Sequence, residues 1–468
     1  MGTERPPGFV GIEEAVALTR ADTAENHKKF GNTSLVGLMG MLGFDRQFVR
    51  AQGTRVWDSE GNEYLDFVGG YGALNLGHNH PRVMAALEKV KSFPNILQTS
   101  IGTISGALMR DLALVTPGQL SHTFLCNSGA EAVEGALKLA RAASGRTRFV
   151  YCENSFHGKT FGALSVTGRS KYRIPFEPLL PGCSSVPFGD LAALEKSLKE
   201  GDIAAFIVEP IQGEGGIVVP PPGYLRGARE LCSRYEALFI ADEIQTGLGR
   251  TGAMFAVDHD GVEPDVMCLS KSLSGGVVPI GAFVTSEKLW MKAFGGLDNW
   301  SLHTSTFGGN TFAAACAISA LETLIDEDLS TRAREKGDYL IEGLLALQAD
   351  FPLIKEVRGR GLLVGIEFEK PTRSVLNRLT GGAMERLSEE YLGSLVAGEL
   401  VNRHRIITVY TLNNPNVIRL EPPLIVTKDE IDRVQAALRE IFSRYHSVLG
   451  FALGTARSAL GGLFKKKQ

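Results

Sequence analysis

Residues 237–252, ALFIADEIQTGLGRTG, place a short apolar run directly before two acids, a glutamine and several small, turn-forming residues. Such a run followed by a polar turn is typical of a buried strand that ends in a loop. An acid at the end of a buried strand is costly unless a cationic partner compensates its charge. The sequence therefore raises the question of what Asp242 and Glu243 pair with.

Similar runs recur on both sides of this stretch, with helical stretches between them. They are HTFLCNSG (122–129), RFVYCENSFHG (148–158), AAFIVEP (204–210), DVMCLSKS (265–272) and GAFVTSE (281–287). This alternation predicts an α/β fold with a mostly parallel sheet covered by helices on both faces. Ligands of such sheets bind beyond the carboxyl ends of the strands, so we expect the functional residues there.

The rest of the chain indicates a smaller α+β domain built from both termini. We predict an N-terminal segment that joins this small domain (1–75), a large domain (76–325), a C-terminal small domain (326–445) and a tail (446–468). The tail sets apolar residues at helical spacing before three lysines, which fits either an amphipathic helix or a solvated terminus. The strand candidates of the C-terminal part are GRGLLVGIEFE (359–369), RIITVYTL (405–412) and NVIRLEPPLIV (416–426).

Composition argues for a globular protein without a nucleic-acid partner. The 468 residues are 44% hydrophobic and 22% charged, and the formal net charge of −3 provides no basic field for DNA or RNA. No apolar stretch approaches the ~18 residues that cross a bilayer, and no signal peptide is visible, so we expect a cytoplasmic location. The six cysteines form no CxxC pair, which predicts reduced core thiols and no metal site.

The residues that follow the strand candidates fit one cofactor. The small-residue turn 127–130 opens a helix, whose N-terminal N–H groups can hold a phosphate. Phe156 and His157 could lie against a planar ring, although each also fits ordinary core packing. An acid such as Asp242 can pair with a protonated ring nitrogen, and burial would bring Lys271 toward the neutral amine that attacks an aldehyde. Together these groups predict binding of pyridoxal 5'-phosphate (PLP).

The same stretches resemble the class III aminotransferases of the ornithine aminotransferase type, which are PLP-dependent enzymes of fold type I. The resemblance covers about residues 30–445. It is carried by NSGAEAVEGALKLAR (127–141), SFHG (155–158), VEPIQGEGG (208–216), LFIADEIQTGLGRTG (238–252), LSKSLSGG (269–276), HTSTFGGN (303–310), RGRGLLVGIEF (358–368) and IRLEPPL (418–424).

The resemblance implies a role for each of these motifs. Lys271 would bind the cofactor covalently and act as the catalytic base, Asp242 would pair with the pyridine nitrogen, and Gln245 would contact the ring hydroxyl. The other implied contacts are Ser128, Gly129 and Ala130 at the phosphate, Phe156 and His157 at the ring face, and Glu209 as a supporting acid. Many relatives have threonine where this chain has Ala130, so only a backbone contact is expected from that position.

Thr306 resembles the family residue that reaches the phosphate from the neighbouring subunit. The resemblance therefore implies a homodimer with shared active sites, which could assemble further into a tetramer.

Substrate choice is predicted to depend on Glu214 and Arg419. In ornithine-type relatives an equivalent glutamate holds the arginine while the terminal amine reacts and then releases it to the carboxylate of the acceptor. The arginine here would offer a bidentate site to a 2-oxo acid such as 2-oxoglutarate or pyruvate. An ordinary ion pair between domains is the alternative interpretation of these two residues.

Within the family, four segments resemble the putrescine aminotransferases, which favours a diamine donor such as putrescine or cadaverine. They are PPPGYL (220–225), SGGVVPIGA (274–282), LHTSTFGGN (302–310) and TLNNPNVIRLEPPL (411–424). An aminotransferase acting on ornithine, lysine or 4-aminobutyrate stays open, as does a PLP-dependent decarboxylase or aminomutase. The intact set of Lys271, Asp242 and Gln245 argues against a non-catalytic binding protein.

Overall fold

The computed structural model describes residues 5–445, except residue 98 and residues 370–382. The tail predicted at 446–468 lies outside the described residues. The N-terminal part begins with three helices and then forms three antiparallel strands. Its elements are α1 (Ile12–Val16), α2 (Arg20–Phe30), α3 (Thr33–Leu42), β1 (Phe48–Gln52), β2 (Arg55–Asp58), β3 (Glu63–Asp66) and the single turn α4 (Gly69–Gly72).

A seven-stranded sheet forms the centre of the large part of the molecule. Its strands are β4 (His122–Cys126), β5 (Arg148–Cys152), β6 (Cys183–Val186), β7 (Ile203–Val208), β8 (Leu238–Asp242), β9 (Val266–Leu269) and β10 (Gly281–Thr285). The strand order is β4-β10-β9-β8-β7-β5-β6, and β10 alone runs antiparallel to both of its neighbours. The predicted α/β fold with a mostly parallel sheet is therefore confirmed.

Helices pack on both faces of this sheet. The helices of this part of the chain are α5 (Pro81–Val90), α6 (Thr103–Val115), α7 (Gly129–Ser144), α8 (Phe161–Ser165), α9 (Ser170–Arg173), α10 (Leu191–Lys199), α11 (Tyr224–Arg234), α12 (Glu287–Phe294) and α13 (Thr311–Asp326). Successive strand residues alternate between two hydrophobic clusters: Ile240 of β8 joins the cluster of α7 and α12, whereas Phe239 and Ala241 join that of α11 and α13. This alternation follows from the two-residue period of a strand.

The C-terminal part forms a separate four-stranded antiparallel sheet, in the order β11-β12-β15-β14. One short strand, β13, instead pairs in parallel with β3, so both ends of the chain contribute to one small sheet. The elements are α14 (Leu329–Asp350), β11 (Ile354–Arg360), β12 (Leu363–Phe368), α15 (Ala383–His404), β13 (Ile406–Ile407), β14 (Val409–Tyr410), β15 (Val417–Leu420) and α16 (Lys428–Arg444).

The carboxyl ends of β5, β7, β8 and β9 meet at one edge of the large sheet, because these strands are parallel. The strand β4 ends at the same edge, since both it and β9 run antiparallel to β10. The polar residues that follow these strands are thereby brought together. Among the helices that the structure describes, none is both long and apolar enough to cross a membrane.

Candidate active site

Lys271 follows β9 and begins a short 3-10 turn, Lys271–Ser274. Its φ of +46° lies in the left-handed region that residues with a side chain rarely adopt, so the surrounding structure holds this residue against a conformational cost. Burial lowers the pKa of the Lys271 amine, and the nearby carboxylates of Glu421 and Glu214 limit that decrease. No hydrogen bond to a described residue occupies its Nζ. The amine is therefore available for chemistry.

Asp242, the last residue of β8, is buried and makes two contacts. Its Oδ2 lies 2.6 Å from Nδ1 of His157, and its Oδ1 accepts a hydrogen bond from the backbone N–H of Ile244 at 3.1 Å. The His157 side chain is itself fully buried, and its Nε2 has no hydrogen-bond partner among the described residues. His157 therefore orients the Asp242 carboxylate, a role that the sequence prediction of a ring-face contact did not include.

Glu243 has a different environment from its neighbour. Its carboxylate accepts hydrogen bonds from the hydroxyl of Thr246 and from the backbone N–H of Val257, the latter at 2.8 Å. Val257 belongs to the hydrophobic cluster of α11 and α13, whereas Ile240 belongs to that of α7 and α12 on the other face of the sheet. Burial raises the pKa of Glu243 to about 7. Of the two acids in the opening stretch, Asp242 faces the site, and Glu243 fastens the loop that follows the strand.

Glu209, which follows β7, supports the loop that carries Phe156. Its carboxylate accepts hydrogen bonds from the backbone N–H groups of Phe156, at 2.9 Å, and Gly213, at 3.1 Å. Burial raises the pKa of Glu209 to about 7, an effect that His157 opposes and Asp242 reinforces. The half-buried Phe156 is thus held beside the Asp242–His157 pair.

The turn before α7 has the features of an anion site. The Ser128 hydroxyl caps the helix by accepting a hydrogen bond from the N–H of Glu131 at 3.2 Å. Gly129 and Ala130 lie in the first turn, where backbone N–H groups have no partner within the helix. A Cβ at Gly129 would come within 2.9 Å of the Ile244 side chain, so this position is crowded from the side of β8.

Four residues from distant parts of the chain form a charged cluster next to Lys271. The Nη2 atom of Arg419 lies 2.6 Å from Oε2 of Glu214, and its Nη1 atom lies 3.6 Å from Oε2 of Glu421. The Nε2 group of Gln245 contacts both carboxylate oxygens of Glu421 at 3.0 Å. The structure therefore brings the predicted Glu214 and Arg419 together and adds Glu421 to them.

The charges of this cluster support one another. The pKa of Glu214 lies below its usual value: burial would raise it, but Arg419 and the backbone N–H of Leu412, 2.8 Å away, outweigh that effect. The pKa of Arg419 is raised by its two carboxylate neighbours despite complete burial. The Nη2 atom of Arg419 is engaged by the Glu214 oxygen at 2.6 Å, whereas Nε and Nη1 have no hydrogen-bond partner among the described residues. The charge of Arg419 is therefore compensated, but part of its hydrogen-bonding capacity is unused.

In a single chain the hydroxyl of Ser305 accepts a hydrogen bond from the Asn127 side chain, in the turn before α7, at 3.1 Å. Thr306 is the next residue of the chain. It is exposed and lines a surface cavity of about 280 Å³ together with residues of the segments 93–105 and 305–311. None of Lys271, Asp242 and Gln245 lines that cavity.

The sequence analysis did not identify two residues that contact Arg419 in this cluster, Glu421 and Tyr71. Glu421 stands two residues after Arg419 at the end of β15, a spacing that places both on one side of the strand and could have indicated it. Tyr71 lies with its ring centroid 5.3 Å from the Arg419 guanidinium carbon. Its backbone, with φ of +58° in the α4 turn, departs from any regular element, so no periodicity pointed to it.

The chain belongs to the class III aminotransferase family, because residues 42–442 match the model of that family. Aminotransferase PigE of Serratia sp. (strain ATCC 39006) is 40% identical over 94% of this chain, which spans 56% of the length of PigE. Ornithine aminotransferase from Toxoplasma gondii, solved with PLP at partial occupancy in its active site, is 35% identical, with 91% and 94% of the two chains covered and a TM-score of 0.77. An (S)-enantioselective omega-transaminase from Thermomicrobium roseum is 30% identical, with 92% and 98% covered and a TM-score of 0.80.

Family membership confirms three predictions: the fold type I architecture, aminotransferase activity and PLP as the cofactor. Aminotransferases as a class move an amino group from an amine donor to a 2-oxo acid acceptor. The residues present fit this cofactor. Lys271 offers an amine without a described hydrogen-bond partner, α7 offers first-turn N–H groups, and Asp242 is held at the end of β8. Among the described residues no group of side chains could hold a metal ion.

Proposed function

We propose that this enzyme transaminates the terminal primary amine of a diamine, such as putrescine or cadaverine, to an aldehyde, with 2-oxoglutarate or pyruvate as the acceptor. The observation that carries the proposal is the closed pair of Glu214 and Arg419 near the free amine of Lys271. While Glu214 covers the arginine, the site presents no uncompensated cation to a donor carboxylate. A donor without a carboxylate therefore fits this state.

Release of Glu214 would prepare the site for the acceptor. Arg419 then offers two parallel N–H groups to the carboxylate of a 2-oxo acid, and the absence of hydrogen-bond partners at Nε and Nη1 among the described residues supports this role. Arg419 thus takes part in both half-reactions: Glu214 covers it while the donor reacts, and Glu214 leaves it accessible when the acceptor binds.

We assign the chemical steps to residues that surround the strand ends. When bound, PLP supplies an aldehyde that takes up the amino group and a pyridinium ring that accepts electrons from the substrate carbon. Lys271 Nζ would remove the proton from the amine-bearing carbon and deliver it to the cofactor carbon that carried the aldehyde, and Asp242 would keep the ring nitrogen protonated. Gln245 would contact the ring hydroxyl, and Phe156 would lie at the ring face.

The phosphate contacts belong to the same proposal. Ser128, Gly129 and Ala130 at the start of α7 hold the phosphate, and Thr306 of a second subunit completes its binding. Exposed apolar side chains beside Thr306 support such a homodimer, since Ile101 is 97% and Phe307 57% exposed in the single chain.

An omega-aminotransferase that acts on ornithine, lysine or 4-aminobutyrate is the second candidate. It is supported by the 35% identity to an ornithine aminotransferase over nearly the whole chain. In that case the donor carboxylate, or the α-amino and carboxyl groups of ornithine, must be accommodated beside the closed pair of Glu214 and Arg419.

A donor panel separates the two candidates. Purified holoenzyme is supplied with putrescine, cadaverine, ornithine, lysine or 4-aminobutyrate, each with 2-oxoglutarate or pyruvate, and the glutamate or alanine formed is measured. We expect the highest kcat/KM for a diamine. Turnover of ornithine without turnover of either diamine would overturn the choice of donor. Lys271→Ala is the control, and it should lose both turnover and the visible absorbance of the lysine-linked cofactor.

A further inference from the structure

Glu421 is the most enclosed acid of the active site that the proposed reaction leaves without a role. Its side chain has no exposed surface, and its backbone N–H donates to the carbonyl oxygen of Phe67 at 2.8 Å. Among the carboxylates that raise the pKa of the Lys271 amine, Glu421 and Glu214 have the largest effects. Both acids therefore lie near enough to the Lys271 amine to favour its charged form.

Glu421 is fixed in place, and this distinguishes it from an acid that can swing aside. The Gln245 amide donates to both of its carboxylate oxygens at 3.0 Å. Gly72 packs directly against the carboxylate, and a Cβ at that position would collide with Oε1 of Glu421. Moving this side chain would leave a buried charge without its hydrogen bonds, which is costly.

Arg419 consequently has a fixed and a releasable counter-ion. Glu214 lies 2.6 Å from Nη2, and Glu421 lies 3.6 Å from Nη1 on the other side of the guanidinium. The three side chains carry a formal net charge of −1 while Glu214 is in place. When Glu214 leaves, Glu421 remains and the sum is zero rather than +1. A carboxylate that enters the site thus meets an arginine whose positive charge is already compensated by Glu421.

We propose that Glu421 is a specificity-determining residue, a fixed second counter-ion of Arg419 that favours donors with a distal ammonium group over donors with a distal carboxylate. A distal ammonium group is attracted by the net negative charge of the three side chains. The distal carboxylate of a donor such as 4-aminobutyrate must bind against the retained charge of Glu421. This inference rests on the proposed diamine reaction, which it extends to the recognition of the non-reacting end.

The test compares Glu421→Gln, which removes the charge and keeps the shape, with the wild-type holoenzyme. We expect the ratio of kcat/KM for 4-aminobutyrate to that for putrescine to rise about tenfold. Glutarate, a dicarboxylate without a reacting group, reports binding without turnover, and its Kd measured by calorimetry should fall about tenfold. Glu440→Gln is the matched control, since it removes the same charge from the exposed end of α16 and should change neither value.

Separate readouts distinguish failure of this inference from failure of the proposed function. A lower Kd for glutarate in Glu421→Gln, with no diamine turnover by the wild type, supports the counter-ion role and refutes the diamine donor. If the wild type turns over diamines, but Glu421→Gln changes neither the kcat/KM ratio nor the Kd for glutarate by more than about twofold, the role of Glu421 is refuted. Should Glu421→Gln not fold, Glu421→Asp withdraws the carboxylate from Arg419 and should lower the Kd for glutarate by about threefold. An unchanged Kd in that variant refutes the inference equally.

Discussion

Asp242 and Glu243 are adjacent in the chain but have different partners because successive side chains of a strand point to opposite faces. Asp242 meets the His157 imidazole, 2.6 Å away, on the face toward the predicted ring site. Glu243 meets a hydroxyl and a backbone N–H on the other face, where burial raises its pKa to about 7. The first acid can serve the cofactor, and the second stabilises a loop.

Replacing His157 tests whether this residue acts through Asp242. In His157→Ala the Asp242 carboxylate loses its closest partner and is free to rotate away from the ring nitrogen. We expect the Kd for PLP, measured by titrating the apoenzyme, to rise about tenfold or more, the equivalent of one charge-assisted hydrogen bond. His27→Ala is the control, because His27 is exposed on α2. Equal affinity of the two variants would contradict the positioning role.

The helix α7 combines a structural and a binding function at its first turn. Ser128 caps it, while Glu131 folds back to accept hydrogen bonds from the backbone and side-chain nitrogens of Asn127 at 2.9 Å. The apolar residues of the same helix pack in the hydrophobic cluster on one face of the large sheet. Packing thus fixes the direction in which the helix N-terminus points.

A matched pair of serine substitutions separates capping from phosphate binding. Ser128 caps α7 and Ser286 caps α12 through the same kind of hydrogen bond, at 3.2 Å and 3.3 Å. Ser128→Ala and Ser286→Ala should each lower the free energy of unfolding of the apoenzyme by ~1 kcal/mol. Only Ser128→Ala should also weaken PLP binding in a titration. Weaker binding in both variants, or in neither, would argue against the anion site at α7.

In a single chain Thr306 does not line the same cavity as Lys271, Asp242 or Gln245. In one chain it lines a surface cavity bordered by exposed apolar side chains, among them Ile101 and Phe307. Such a patch is typical of a surface that another protein covers. A symmetric dimer would bury it and bring each Thr306 toward the partner's α7.

Mixed dimers test this shared site. Lys271→Ala and Thr306→Asp are each inactive by expectation, because the first removes the reacting amine and the second repels the phosphate. When the two variants are unfolded and refolded together, each mixed dimer should contain one intact site if Thr306 acts across subunits. About a quarter of the wild-type activity should return. If Thr306 acts within its own chain, every site stays defective and no activity returns.

The sequence predicted strands where apolar runs precede polar turns, and it failed where that pattern is absent. All six apolar runs named for the large domain correspond to strands of the large sheet. The strand β6 was missed, because it is an edge strand in which only Val186 of its four residues is buried. The reversed direction of β10 was also not predicted, since an apolar run looks the same in a parallel and an antiparallel strand.

The residue types at the strand ends could be read from local patterns of polarity and small residues, and the resemblance of eight ordered motifs indicated the family. Which side chains contact each other became clear from the folded chain. His157 and Asp242 are 85 positions apart, and Gln245 and Glu421 are 176 positions apart. Such pairs depend on how strands are ordered and on which face each side chain points to. Those properties arise from packing of the whole chain, so no local pattern carries them.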